Sequence, residues 1–216
     1  MDEALLLFEH ALRIVEKTEG PESTGAAALE HNLAAVLSQQ GRLDEAGGRF
    51  QQVLARKEKK LGPNHPQLVP VLRFLGNTLR KQKRYDEALA HLERAVTIQV
   101  AQPDDALSGW TGVHLDLGRA LLEAERPRDA LVPLEKALAG WERAQPTPVE
   151  RANTRLLLTR ALWDARSDRT RALRLAHEAR TVALEAGDAG ARVLDAVDAW
   201  LAGKSATAPM QEPTPR

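Results

Sequence analysis

The tetrapeptide Asp86-Glu87-Ala88-Leu89 stands 42 residues after Asp44-Glu45-Ala46-Gly47, which stands 42 residues after Asp2-Glu3-Ala4-Leu5. The same step leads on to Arg128-Asp129-Ala130-Leu131 and to Thr170-Arg171-Ala172-Leu173. A fixed period of this length marks a repeat architecture in which each period is one supersecondary unit. Four residues after the central alanines stand Phe8, Phe50, Leu92, Leu134 and Ala176, and three further on stand Ala11, Val53, Ala95, Ala137 and Ala179. Offsets of 0, 4 and 7 share one face of an α-helix. The pattern predicts an amphipathic helix, helix B, in every unit.

Upstream of each complete helix B lies a second helical pattern, helix A, carrying Leu33 and Leu37, Leu75 and Leu79, Leu117 and Leu121, and Leu158 and Leu162. A small residue follows the first leucine each time (Ala34, Gly76, Gly118, Thr159), which lets two helices approach closely. The fourth helix A comes one residue early, and the turn Ala165-Arg166-Ser167-Asp168-Arg169 regains the residue. Gly41-Arg42, Lys83-Arg84 and Arg126-Pro127 separate A from B. Gly20-Pro21, Leu61-Gly62-Pro63-Asn64-His65-Pro66, Pro103-Asp104-Asp105 and Pro146-Thr147-Pro148 separate the units. These are helix stop and start signals.

Composition agrees with helix. Aromatic residues are 4% of the 216, against 43% hydrophobic overall, so the core is built from Ala and Leu, which favour helix over sheet. The absence of cysteine excludes disulfides, Cys-ligated metals and thiol nucleophiles. No apolar run approaches the roughly 20 residues of a membrane helix, and the acidic start Met1-Asp2-Glu3 lacks the basic opening of a signal peptide. The expectation is a soluble cytoplasmic protein that does not engage membranes.

The small residue of helix A, the alanine opening helix B twelve positions later and the aromatic or leucine four beyond it resemble the tetratricopeptide repeat. More narrowly, Lys60-Leu61-Gly62-Pro63-Asn64-His65-Pro66 and Gly41-Arg42-Leu43-Asp44-Glu45-Ala46 resemble the inter-repeat linker and intra-repeat turn of the 42-residue kinesin-light-chain type. The resemblance covers residues 2 to 187. It implies an all-α, right-handed solenoid of antiparallel helix pairs. On this reading the chain comprises a half repeat at 2–18, with helix B alone, and full repeats at 26–60, 67–101, 109–143 and 150–187. A capping helix at 189–203 and a disordered, Ala/Thr/Pro-rich tail at 204–216 follow. The half repeat leaves part of the apolar face of Ala4, Leu5, Phe8 and Leu12 open. This is expected of a truncated chain or of a face covered by a partner, such as a second copy in a homodimer.

Enzymatic motifs are missing. The six histidines form no compact metal spacing; His65 reads as a turn residue, and His10, His91 and His177 as solvated or boundary residues of helix B. There is no phosphate-binding glycine loop and no nucleophile elbow. Asp-Glu pairs recur where negative charge favours a helix N-terminus. The reading is no enzyme, no cofactor and no metal.

Lys plus Arg and Asp plus Glu are 30 each. The zero net charge is banded: −5 over residues 1–50, +8 over 51–84, −6 over 85–150 and +5 over 151–180. The basic runs 56–60 and 80–84 end a helix B and fill an A-to-B turn. They sit at opposite edges of a helix hairpin, so a merged nucleic-acid-binding patch is not expected.

In the tetratricopeptide family helix A lines a concave groove that binds protein or peptide ligands. Carried onto this sequence, the groove residues are His31, Asn32, Gln39, Arg73, Asn77, Arg80, Arg119 and Arg160, with Phe74, Asp116, Glu123 and Trp163 nearby. Arg73 and Asn77 are four apart on one face, and a cation with an amide can hold a carboxylate. The pair resembles half of the carboxylate clamp of chaperone-binding repeats; Asp116 and Leu157 replace the residues of the other half. The four arginines would suit an acidic peptide, or else are salt-bridged within the groove. The expected function is a non-catalytic protein-binding scaffold. Alternatives are the sensor or scaffold arm of a larger bacterial signalling protein, such as a serine/threonine kinase whose repeat arms the composition resembles, and a self-assembling oligomer.

Overall fold

The computed structural model describes residues 2–101, 111–141 and 146–205. Every regular element among the described residues is helical. The chain divides into two compact units, Met1–Glu125 and Arg126–Arg216. The boundary falls in an A-to-B turn, inside a 42-residue period. The Asp104 linker and residues 206–216 of the expected tail lie outside the described residues, as does the side chain of Ala4.

The first unit contains α1 (Asp2–Glu19), α2 (Thr24–Gln39), α3 (Leu43–Leu61), α4 (Val69–Lys81), α5 (Tyr85–Val100) and α6 (Thr111–Glu123). Each helix packs on the next, and α4 also touches α2 and α6. Helices α2, α4 and α6 therefore form a row of A helices. The second unit contains α7 (Pro127–Gly140), α8 (Pro148–Asp164), α9 (Arg169–Glu185) and α10 (Ala191–Ser205), again packed in sequence. No helix among the described residues is long and apolar enough to cross a membrane.

The predicted faces are the buried ones. In α3, α5, α7 and α9 the residues at offsets 0, 4 and 7 (Ala46, Phe50 and Val53; Ala88, Leu92 and Ala95; Ala130, Leu134 and Ala137; Ala172, Ala176 and Ala179) have no measurable exposure. The paired leucines of the A helices are buried as well.

The small residue of helix A has a specific neighbour. A Cβ on Gly76 would lie 2.7 Å from Leu92 Cγ and 3.2 Å from the Ala88 carbonyl oxygen. One of its counterparts, Thr159, donates its hydroxyl to the carbonyl of Ala172, the alanine equivalent to Ala88, at 3.3 Å. Helix A thus meets the opening alanine of helix B through hydrogen in one repeat and through a hydrogen bond in another.

The A-to-B turns share one backbone device. Gly41, Lys83, Glu125 and Arg166 all have left-handed backbone, with φ of 80°, 62°, 59° and 53°. They occupy one repeat position, allowing for the one-residue advance in the last unit. The next residue's N–H returns to a carbonyl of the preceding turn: Arg42 to Leu37, Arg84 to Leu79 and Ser167 to Leu162, each at 3.0 Å. This is the Schellman closure of a helix C-terminus.

Start signals follow suit. Thr147 and Glu150 form a reciprocal capping box at α8. His65 accepts the Gln67 N–H at Nδ1, 3.2 Å away, and opens the 3-10 turn Pro66–Leu68 that leads into α4. Helix α10 docks through fully buried Val197 and partly buried Val193, Leu194, Trp200 and Leu201.

Candidate functional site

The A-helix row of the first unit carries most of the expected groove residues. On α2, Asn32 and Gln39 are exposed, two turns apart on one face. His31 is half-buried: its ring meets Phe50 of α3 edge-on with centroids 5.3 Å apart, and Phe74 of α4 at 4.9 Å. Phe50 is fully buried, whereas Phe74 keeps 38% of its surface in solvent. The third edge of this triangle is a stacked Phe50–Phe74 contact at 5.8 Å. Burial, and then the charge of Lys57, pushes the His31 imidazole below its usual pKa. It is a neutral aromatic member of a cluster with one face open.

The arginines of α4 are engaged. Arg73 Nε donates to Asp116 Oδ2 at 2.5 Å, and Asn77 Nδ2 donates to the same oxygen at 2.7 Å. The cation–amide pair that could grip a ligand carboxylate therefore grips one from α6. One turn on, Arg80 donates through Nη1 to both Glu123 oxygens at 2.6 and 2.8 Å, and through Nε to Asn77 Oδ1 at 3.3 Å. These contacts fasten neighbouring A helices into one polar ladder. Space for Arg73 comes from Gly112, where a Cβ would lie 2.6 Å from the guanidinium carbon.

Of the remaining residues, Arg119 is half-buried on α6. Arg160 is exposed on α8, which belongs to the second unit and is described separately from this row. There, Trp163 and Trp200 meet edge-on at 5.4 Å, with the Arg169 guanidinium 4.9 Å from the Trp163 ring centre. Among the described residues no group of three or more His, Asp or Glu is arranged to hold a metal ion.

The sequence offers Asp116 and Glu123 as salt-bridge partners of Arg119; the structure pairs them with Arg73 and Arg80 of the preceding A helix. A signal for this pairing exists: each acid follows its arginine by 43 residues, one period plus one. The charge bands have the same origin. Arg56 pairs with Glu30, Arg80 with Glu123, and Arg171 with Glu135, so cations of one band meet acids of a neighbouring band.

The tetratricopeptide-repeat family model matches residues 1–59 and 25–99. No curated protein matches the chain. Among solved structures, nearly identical TPR-like repeats of kinesin-light-chain type from Podosopora anserina superpose with a TM-score of 0.68 at 24% identity, covering 87% of this chain and 89% of that one. A point variant of the same repeats gives 0.69 at 24% identity, covering 85% and 87%. BtubC (BKLC) of P. vanneervenii gives 0.64 at 15% identity, covering 100% of this chain and 94% of that one. Repeat period, buried faces and family match agree: residues 1–99 match the tetratricopeptide-repeat model, and the chain has the helical-repeat fold of the solved kinesin-light-chain-type repeats to which it is similar.

Proposed function

We propose that the chain is a non-catalytic scaffold that binds a peptide segment of a partner protein across the A-helix row of its first unit. The tetratricopeptide fold supports a protein–protein interaction scaffold. The observation that carries the finer reading is Phe74, an aromatic ring left 38% exposed on a face whose charged side chains are already paired. Exposed aromatics beside a satisfied polar network suit an apolar anchor, because burying one more ring face there strands no charge. Asn32 and Gln39, exposed on the neighbouring helix α2, can exchange hydrogen bonds with a peptide backbone.

The reading bears on the charge of the ligand. Arg73 and Arg80 together with Asp116 and Glu123 sum to zero, so this row does not present the basic surface that its arginines alone suggest. An acidic ligand at Arg73 or Arg80 would have to displace these internal carboxylates. We therefore favour a peptide with a large apolar or aromatic side chain over one selected by negative charge.

A peptide array against the full chain, with hits measured by fluorescence anisotropy, tests this. Phe74→Ala should weaken the best hit at least ~10-fold, the scale of one aromatic anchor, with a retained cooperative melt and unchanged helical circular dichroism as the folding control, since loss of its contacts with His31 and Phe50 lowers the melting temperature by itself. An unchanged affinity would place the binding surface elsewhere.

A further inference from the structure

Helix α1 presents two different faces. Leu5, Phe8, Leu12 and Val15 pack into the core of the first unit. On the other side Leu6, Leu7 and Ile14 are 63%, 64% and 49% exposed. These are three of the eight exposed large hydrophobic side chains among the described residues, gathered on one helix. With exposed Glu3, His10, Arg13 and Lys17 they form a continuous ridge at helical spacing, from Glu3 at the N-terminal end to Lys17 at the C-terminal end.

The ridge is complementary to itself when reversed. Laid antiparallel on a second copy with His10 opposite His10, it sets Leu7 against the partner's Ile14. Glu3 then meets the partner's Lys17, and Leu6 lies over the aliphatic stem of the partner's Arg13. Each contact occurs twice by symmetry. A parallel pairing would set Glu3 on Glu3 and Lys17 on Lys17. Antiparallel packing also opposes the two helix dipoles favourably.

We propose that this chain pairs with a second copy of itself through α1, the two helices running antiparallel about a two-fold axis at His10. A closed two-fold contact of this kind uses the same patch on both subunits and leaves no open end. Eighteen residues of helix span about 27 Å, and one helix face of that length buries less than the roughly 1,200 Å² of a full-sized interface. The dimer is accordingly weak, with association in the micromolar range.

Sedimentation equilibrium of the full chain over ~5–500 μM at low salt tests the proposal. The mass should climb from 23.7 kDa toward twice that value. Glu3→Lys alone and Lys17→Glu alone should each weaken association about 10-fold, since two opposite-charge contacts become like-charge contacts. The double variant Glu3→Lys with Lys17→Glu should recover it. A fold defect cannot produce that recovery, because all these side chains are exposed. A monomer throughout the range would overturn the proposal and assign the ridge to a different occupant. Self-association that is indifferent to the charge swaps, or that the double variant fails to restore, would overturn it too.

Discussion

Asp116 is held by Arg73 as a bound carboxylate would be: guanidinium Nε to carboxylate Oδ2 at 2.5 Å, with the carboxylate side chain only 10% exposed. Asn77 completes the grip at 2.7 Å. A ligand carboxylate would have to displace an intramolecular one that is permanently present at high effective concentration. The arrangement ties α4 to α6, and under the proposed function it opposes acidic peptides at this point of the row.

Asp116→Asn keeps the shape and removes the charge. Arg73 is then left with a neutral acceptor, and the variant should lose about 1–2 kcal/mol of stability in urea denaturation. It should also gain affinity for peptides ending in a free carboxylate, an affinity that declines with added salt. Anisotropy titrations with such a peptide on the parent and the variant check this. If both bind equally, Asp116 is not what excludes acidic ligands.

The left-handed turn residues make a prediction about stability alone. Gly41 takes its φ of 80° at no steric cost, whereas Lys83, Glu125 and Arg166 hold the same region with a Cβ. Replacing any of the three by Gly should stabilise the chain by about 0.5–1 kcal/mol, the relief of left-handed strain less the extra entropy of an unfolded glycine. Gly41→Ala should destabilise it by a similar amount. Melting curves of the four variants decide the matter, and a loss on Lys83→Gly would show that its side chain contributes more than its backbone costs.

These turns also mark how far the sequence could be read. The fold was legible because one face of every helix B is buried by the same rule, so Ala88, Leu92 and Ala95 repeat Ala46, Phe50 and Val53 in kind. The turns were legible as breaks, yet Lys83 and Glu125 gave no sign of positive φ; only their alignment with Gly41 does. The candidate site was less legible for a different reason. Helical spacing places Arg73 and Asn77 on one face, but whether that face meets solvent or the next repeat depends on side chains 39 to 43 residues away. His31 and Phe74 are 43 apart as well, and their ring contact at 4.9 Å turns a polar candidate into a member of an apolar cluster.

That cluster has a pH dependence. Burial, reinforced by Lys57, lowers the pKa of His31, and burial with the charge of Arg94 lowers that of His91. In the unfolded chain both take up a proton near pH 6.5, while the folded chain resists until lower pH. The unfolded state therefore binds more protons in that window, so stability is fully present above about pH 6.5 and declines as pH falls through the folded pKa values. Glu45 and Glu87, lowered by hydrogen bonds from Arg42 and Arg84, act only further down, as pH falls below the carboxylate range. Melting temperatures from pH 8 to 5 should decline, and His31→Phe, which keeps an edge-on ring, should flatten the slope. An unaltered slope in that variant would assign the acid sensitivity elsewhere.

Two glycines allow the cost of a single methyl group to be compared at sites that differ in what can yield. At Gly76 the added Cβ would meet the Leu92 side chain at 2.7 Å, and a leucine can change rotamer. Overpacking costs about 1–3 kcal/mol, and the better helix propensity of alanine returns up to ~1 kcal/mol, so Gly76→Ala should cost about 1–2 kcal/mol and leave the fold intact. At Gly190, just before α10, the Cβ would lie 2.0 Å from the Ala183 carbonyl oxygen and 2.9 Å from its carbon, both backbone atoms of α9. Backbone has no rotamer to change, so the contact is relieved only by moving α10. Gly190→Ala should release that helix: Val197 loses its burial and the Trp163–Trp200 contact at 5.4 Å opens. Hydrogen exchange should then accelerate across residues 191–205 while α2 to α5 keep their protection, and tryptophan emission should shift to the red. Uniform loss of protection across the chain would instead mean that α10 unfolds only together with the repeats it covers.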